Sequence, residues 1–213
     1  MQSYSVFTEQ VIDKVKLSGK KPSLLLHACC APCASYVIEY LSDFFDITLF
    51  YYNPNILPES EYDFRLSELE RLCSEHPKAK GIKILPCDYN AEEFFSAVKG
   101  MEDLPEGGER CRVCYSLRLG KTAEMAKQHG FDFFTTTLSI SPYKNAKWLN
   151  EIGQELEAKY AVCYLFSDFK KKNGYKRSIA LSAEYNLYRQ DFCGCAFSKR
   201  DSQIRRLEKN KNL

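Results

Sequence analysis

Short apolar runs alternate along the chain with longer stretches whose apolar residues recur every three to four positions. The runs SLLLH (about 23–27), DITLFY (46–51), IKIL (82–85), DFFTTT (132–137) and AVCYL (161–165) have the length and apolar content of buried strands. Helical periodicity fills about 33–43, 58–75, 91–100, 112–129 and 144–159, the fourth closed by His129-Gly130. Neighbouring parallel strands need a crossover of a dozen or more residues, and helices supply it. The alternation therefore predicts an α/β fold: a Rossmann-like, mainly parallel sheet of about five strands with helices on both faces. Residues 166–213 depart from the alternation. They predict a helix near 177–189, a Cys-Gly-Cys turn and a charged helix from about Ser198, a C-terminal helical appendage that carries CGC and folds back over the strand ends. The whole of 1–213 reads as one catalytic domain.

A chain of 213 residues buries roughly 70% of its unfolded surface, so the core needs no cross-links. The opening stretch MQSYSVFTEQVIDKVK has no basic region followed by an apolar one, and the ten cysteines are therefore read as reduced thiols of a cytoplasmic protein. No apolar run approaches the ~20 residues of a membrane-spanning helix, so no membrane partner is expected. Cys73, Cys87 and Cys163 stand alone in apolar settings and read as small buried hydrophobes. The other seven cysteines cluster in ACCAPC, RCRVC and FCGC.

Ligands of parallel sheets bind at the carboxyl ends of the strands, and ACCAPC lies there, between the first strand and a helix. Cys30-Ala-Pro-Cys33 alone has the layout of a thioredoxin-like dithiol at a helix N-terminus. That reading leaves Cys29 unexplained, and with it the second C-x-x-C, Cys111 and Cys114. Two thiols from the CC turn and two from C-x-x-C make four ligands, the number needed by a tetrahedral zinc or an iron-sulfur cluster. Adjacent Cys29-Cys30 is not the spaced knuckle of zinc ribbons, which favours the cluster over a structural zinc. In Cys193-Gly194-Cys195 the glycine lets the chain bend enough for a bridge, and a disulfide across so short a loop is strained and easily reduced. Alternatively these two thiols are further ligands, because six clustered thiols exceed the needs of one cluster and could hold an additional iron.

Charge is unevenly spread. Residues 1–109 hold 10 Lys/Arg against 18 Asp/Glu, whereas 110–213 hold 20 against 10. Two solvated faces would explain this, as would a polyanion-binding surface built by the C-terminal half. Its basic residues gather in two places: Lys170, Lys171, Lys172, Lys176 and Arg177, then Lys199, Arg200, Arg205, Arg206, Lys209 and Lys211.

Five segments complete the pattern: LLHACCAPC, YYNPNI followed by EYDFR, RCRVCYSLRL, TTLSISPYKN, and KKKNGYKRSIALSAEYNLYRQDFCGCAFS. In these motifs and their order the chain resembles, from about residue 22 to 200, the cobalamin-independent epoxyqueuosine reductase family of the QueH type. The resemblance implies an oxidoreductase of queuosine biosynthesis that removes the epoxide oxygen from the cyclopentane ring of epoxyqueuosine at the tRNA wobble position. By motif it places a 4Fe-4S cluster on Cys29, Cys30, Cys111 and Cys114 and makes Cys193 and Cys195 a redox-active pair, leaving Cys33 without a role. No G-x-G-x-x-G follows the first strand, so electrons are expected from an unidentified donor. Tyr143 and Lys144, at the exit of the fourth strand, are expected to touch the modified base, and Lys171, Lys172 and Arg177 the tRNA phosphates. Two rivals remain: an ATP-dependent tRNA thiolation enzyme, whose SGGxDS-type loop is missing where HACCAPC stands, and a zinc-stabilised RNA-binding module without catalysis.

Overall fold

A computed structural model of the chain describes residues 3–85 and 87–211, the side chains of 205, 206 and 208–211 excepted. Five strands, β1 (Ser23–His27), β2 (Asp46–Phe50), β3 (Lys83–Leu85), β4 (Phe133–Thr136) and β5 (Cys163–Tyr164), form one parallel sheet in the order β3-β2-β1-β4-β5. The five strands and the parallel sheet expected from the alternation are present. The chain builds outward from β1 to β3 on one side and returns through β4 and β5 on the other. The order reverses between β1 and β4, and such a switch point leaves a crevice at the carboxyl ends of the strands.

The central strand has no polar face, as expected of a strand covered on both sides. Leu24, Leu25 and Leu26 are each fully buried, and each burial stabilises the fold by roughly 1.5–3 kcal/mol. Successive side chains alternate sides: Leu24 and Leu26 pack with α2 (Ala31–Leu41) and α3 (Glu59–Glu75), while Leu25 packs with α5 (Glu109–Gln128) and α6 (Ala146–Tyr160). Helix α1 (Tyr4–Ser18) precedes β1, the short α4 (Ala91–Ala97) lies between β3 and α5, and α7 (Gly174–Glu184) and α8 (Ala196–Lys211) follow β5. Helix α6 rests directly on β5, since a Cβ added to Gly153 would fall within the Tyr164 ring.

Three details differ from the sequence expectations. Helix α1 precedes the first strand where no element was expected; Val11 and Val15 pack on the core and Thr8 donates a 2.6 Å hydrogen bond to the Phe166 carbonyl. The helix expected near 177–189 spans Gly174–Glu184, because Asn186 adopts φ 46° and Arg71 caps the terminal carbonyls of Tyr185 and Asn186 at 3.0 and 3.1 Å. Cys163, expected to be buried, is exposed on the sheet's edge strand, where one face alternates outward. No helix among the described residues is long and apolar enough to cross a membrane.

Candidate active site at the sheet switch point

The crevice between β1 and β4 is lined by the segments that follow these strands. After β1 the chain runs through Ala28 and Cys29 to Cys30, the N-cap of α2, with Pro32 in the helix's first turn. Helical spacing turns Cys33 back over that cap, and the sulfurs of Cys29, Cys30 and Cys33 all lie within 4.8 Å of one another, a group able to hold a metal ion. Cys29 Sγ also approaches Thr137 Oγ1 at 3.8 Å, in the 3-10 helix Thr137–Ile140 that leaves β4. Hydrogen bonds from Cys29 and Cys33 hold the Cys30 thiol well below its ordinary pKa, and Arg65 adds to the effect; hydrogen bonds to Cys29 and Cys30, with burial, raise Cys33.

Cys111 and Cys114, expected to share a cluster with Cys29 and Cys30, are not part of that close group and form a second one on α5. There Cys111, Cys114, Tyr115 and Arg118 follow one another at helical spacing, so the N-terminal half of the stripe turns polar groups toward the site. The C-terminal half turns Leu119, Ala123 and Ala126 to the sheet. Cys111 and Cys114 line a cavity of about 10 Å³ together with Asn55, Arg118, Lys144, Cys193 and Cys195. Burial pushes the Cys114 thiol up to about 12.

Cys193-Gly194-Cys195 closes the cavity from the appendage. The Gly194 carbonyl accepts from Leu57 N at 2.9 Å, and Arg65 Nη1 donates to the Cys193 carbonyl at 3.2 Å. Gly194 has φ 117°, and a Cβ there would stand 3.0 Å from Ile56 Cγ1 and 3.2 Å from Arg65 Nη1, so glycine is required for both reasons. Cys195 serves as the cap of α8: the backbone N–H of Ser198 donates to its sulfur at 3.3 Å, and Lys199 N donates to its carbonyl at 3.0 Å. Burial and the neighbouring Cys193 nevertheless raise the Cys195 thiol.

Cations surround these sulfurs. Lys144, expected on the modified base, turns inward and places Nζ 2.9 Å from Cys193 Sγ, with only 9% of its surface exposed. Burial opposes its charge, yet Cys193 and Tyr115 hold the ammonium's pKa above its ordinary value. Arg118 is fully buried between the groups; burial opposes its charge too, and Cys114, Cys193 and Cys29 raise its pKa. Tyr143, by contrast, is 78% exposed beside the cavity. At the end of β1, His27 is locked in one tautomer: Nε2–H donates to the Tyr52 carbonyl at 3.1 Å and Nδ1 accepts from Thr136 Oγ1 at 2.8 Å. Burial, with Arg118, lowers its pKa to about 4.

The basic run lies elsewhere. Arg177 donates to both oxygens of Glu39 at 2.9 and 2.6 Å, Lys172 pairs with Glu9, and the Lys171 side chain is exposed. Glu39 stands about 13 Å along α2 from Cys30, at 1.5 Å per residue, so these residues flank the site at a distance. The side chains of Arg205, Arg206, Lys209 and Lys211 lie outside the described residues. Two site residues were not singled out from the sequence, although the turn that holds them was. Asn53 donates to the Ala28 carbonyl at 2.9 Å and accepts from Arg118 at 3.4 Å, and Asn55, fully buried in the cavity wall, has neither amide atom hydrogen-bonded. Their signal was the YYNPNI turn at a strand's carboxyl end.

Similarity to known proteins extends over nearly all of this architecture. A family model described as Epoxyqueuosine reductase QueH matches residues 24–201, which include every site residue named above. Proteins named Epoxyqueuosine reductase QueH from Streptococcus pyogenes and Staphylococcus epidermidis are 42% and 39% identical to this chain. Each alignment covers 92% of the chain, and 78% and 84% of the respective relative. A third, from Thermotoga maritima, is 37% identical over 83% of this chain and 90% of its own length. With the match spanning both thiol groups and the cations between them, the chain belongs to the epoxyqueuosine reductase QueH family of oxidoreductases.

Proposed function

We propose that this chain reduces epoxyqueuosine at the wobble position of tRNA to queuosine, with Cys29, Cys30, Cys111 and Cys114 holding a 4Fe-4S cluster and Cys193 and Cys195 acting as the redox pair. One observation carries the reading: the Cys29, Cys30 and Cys33 sulfurs cluster after β1, Cys111 and Cys114 line a cavity with Arg118, and that buried guanidinium interacts with thiols of both groups. The donor set fits an iron-sulfur cluster, being all sulfur, largely buried and surrounded by cations, and it does not suit a hard, oxygen-loving ion. When bound, the cluster supplies one-electron transfer. The proximity of Cys33 to Cys29 and Cys30 favours a second feature, an additional iron on thiols beyond the four.

The remaining chemistry belongs to the chain's own side chains. Converting an epoxide to an alkene consumes two electrons and two protons and releases one water. Oxidation of the Cys193/Cys195 dithiol to a disulfide releases two electrons and two protons, so the step balances. The donor that later reduces this disulfide is a separate thiol or protein. Lys144 holds the Cys193 sulfur in place and carries N–H groups able to reach an oxygen beside it. The cavity, at about 10 Å³, admits a water-sized group and no ring, so substrate entry requires the CGC turn to shift. Tyr143 offers an exposed ring for stacking on a base, and Lys171, Lys172 and Arg177 offer charge to the phosphates.

Anaerobic iron and sulfide analysis tests the reading. The wild type should be brown with about four of each per chain, and serine at Cys29, Cys30, Cys111 or Cys114 should bleach it. Cys193→Ser should stay brown and lose multiple turnover. A colourless protein with stoichiometric zinc would sink the proposal in favour of an RNA-binding module.

A further inference from the structure

The buried arginines of this chain are satisfied in different ways: Arg110, in the cavity wall, donates to the backbone carbonyls of Met101, Glu102 and Leu104. Arg65 pairs with Glu61 at 2.7 Å, and the half-buried Arg71 pairs with Glu68 and Glu75, each at 2.8 Å. Arg118 differs from all of these. It is 1% exposed, and no carboxylate pairs with it among the described residues. Its recorded hydrogen bonds are long, 3.4 Å from Nε to the Cys114 carbonyl and 3.4 Å from Nη1 to Asn53 Oδ1, and Nη2 has none. Removing a guanidinium from water costs several kcal/mol unless a counter-charge is supplied. Its charge is favoured instead by Cys114, Cys193, Cys29 and Tyr115, of which Cys114, Cys193 and Tyr115 line the same cavity.

We propose that Arg118 is the fixed counter-cation of the sulfur site and sets how readily the bound cluster accepts an electron. The inference rests on the cluster reading above. A cluster held by four thiolates is anionic, and each added electron makes it more so, so a desolvated cation beside it favours the reduced form. Neighbouring cations differ in kind: Arg65 is already balanced by Glu61, and Lys144 contacts Cys193 directly. Arg118 is thus a positioning residue that acts through charge, and its neighbour Asn53 provides a way to cancel that charge without removing the arginine.

The test is an anaerobic potentiometric titration of the cluster-loaded protein, monitored by electron paramagnetic resonance. In Arg118→Gln the ratio of reduced to oxidised cluster at a fixed potential should fall at least tenfold, which is 59 mV for a one-electron couple. Arg118→Lys should stay within about threefold of wild type, a shift smaller than that tenfold step. Asn53→Asp, isosteric with the native residue, should move the midpoint in the same direction as Arg118→Gln, and it reads the effect even where loss of the arginine prevents folding. A wild-type midpoint in Asn53→Asp or in folded Arg118→Gln overturns the proposal, as does an Arg118→Lys shift equal to that of Gln. A wild-type protein without iron and sulfide overturns the cluster reading itself, and a present cluster with unmoved potentials overturns only the role of Arg118.

Discussion

Replacing Lys144 by Met removes one buried charge and keeps a stem of nearly the same length, so the variant isolates the contact between Nζ and Cys193 Sγ at 2.9 Å. Opposite unit charges at that separation attract by about 6 kcal/mol at an effective dielectric of 20. That figure is a ceiling, since the ammonium gives up its hydration to reach a site where it is 9% exposed. Hydrogen bonds to charged groups contribute a net ~1.5–3 kcal/mol, and Arg118 remains in the same cavity to hold part of the anion. At 1.4 kcal/mol per factor of ten, loss of the contact should slow alkylation of Cys193 about ten- to hundredfold, nearer the lower figure. The assay is a timed iodoacetamide pulse on anaerobic protein, with peptide mass spectrometry at Cys193 and exposed Cys163 as the internal reference. Lys144→Met should slow Cys193 by that factor and leave Cys163 unchanged, and Lys144→Arg should recover most of the rate. If Cys193 is alkylated equally fast in Lys144→Met and wild type, the ammonium does not activate the sulfur and its contact is packing alone.

Two further outcomes follow from other parts of the molecule. His27 is neutral in the fold, with a pKa lowered to about 4 from 6.5, so between those values the unfolded chain binds a proton that the native chain does not. Stability should therefore fall as pH drops from about 6.5 to 4, by up to roughly 3 kcal/mol; denaturant titrations across this range should show the loss in wild type and a flatter profile in His27→Gln, and equal slopes would refute the assignment. For tRNA, reversing Lys171 and Lys172 to Glu should lower the slope of log affinity against log salt by about 0.7–0.9 per lost phosphate contact. Filter binding that is indifferent to these reversals and to salt would remove the basic run from the interface.

The parts of this structure that could be read from sequence are those fixed by neighbours in the chain. SLLLH is apolar throughout because β1 is covered on both faces, and ACCAPC follows it directly, so a strand, a sulfur-rich turn and a helix start were legible together. The place of Cys33 was also legible in principle: three residues beyond the N-cap Cys30, one helical turn brings it back over that residue. What could not be read is which separate segments meet. Lys144 stands at the exit of β4 as expected, but its direction depends on residue 193, placed by a turn that Leu57 and Arg65 pin from the other side of the sheet. Arg118 was visible in C-x-x-C-Y-x-x-R, whereas the absence of a carboxylate partner is a property of packing alone.

Three helix N-termini lie at this site, those of α2 at Cys30, α5 beside Cys111 and α8 at Cys195, and each brings the partial positive charge of its first turn to the sulfurs. Arg118 and Lys144 add two full charges, neither with a carboxylate partner among the described residues. Thiols packed merely as small hydrophobes would leave both cations buried without compensation, at a cost of several kcal/mol each. The anionic cluster proposed above would offset that cost and would account at once for the cations, the helix ends and the convergence of seven cysteines. Packing as a small hydrophobe accounts for Cys73, which lies in the core beside Leu69 and Leu72; it does not account for the switch point, where Arg118 and Lys144 have no carboxylate partner among the described residues.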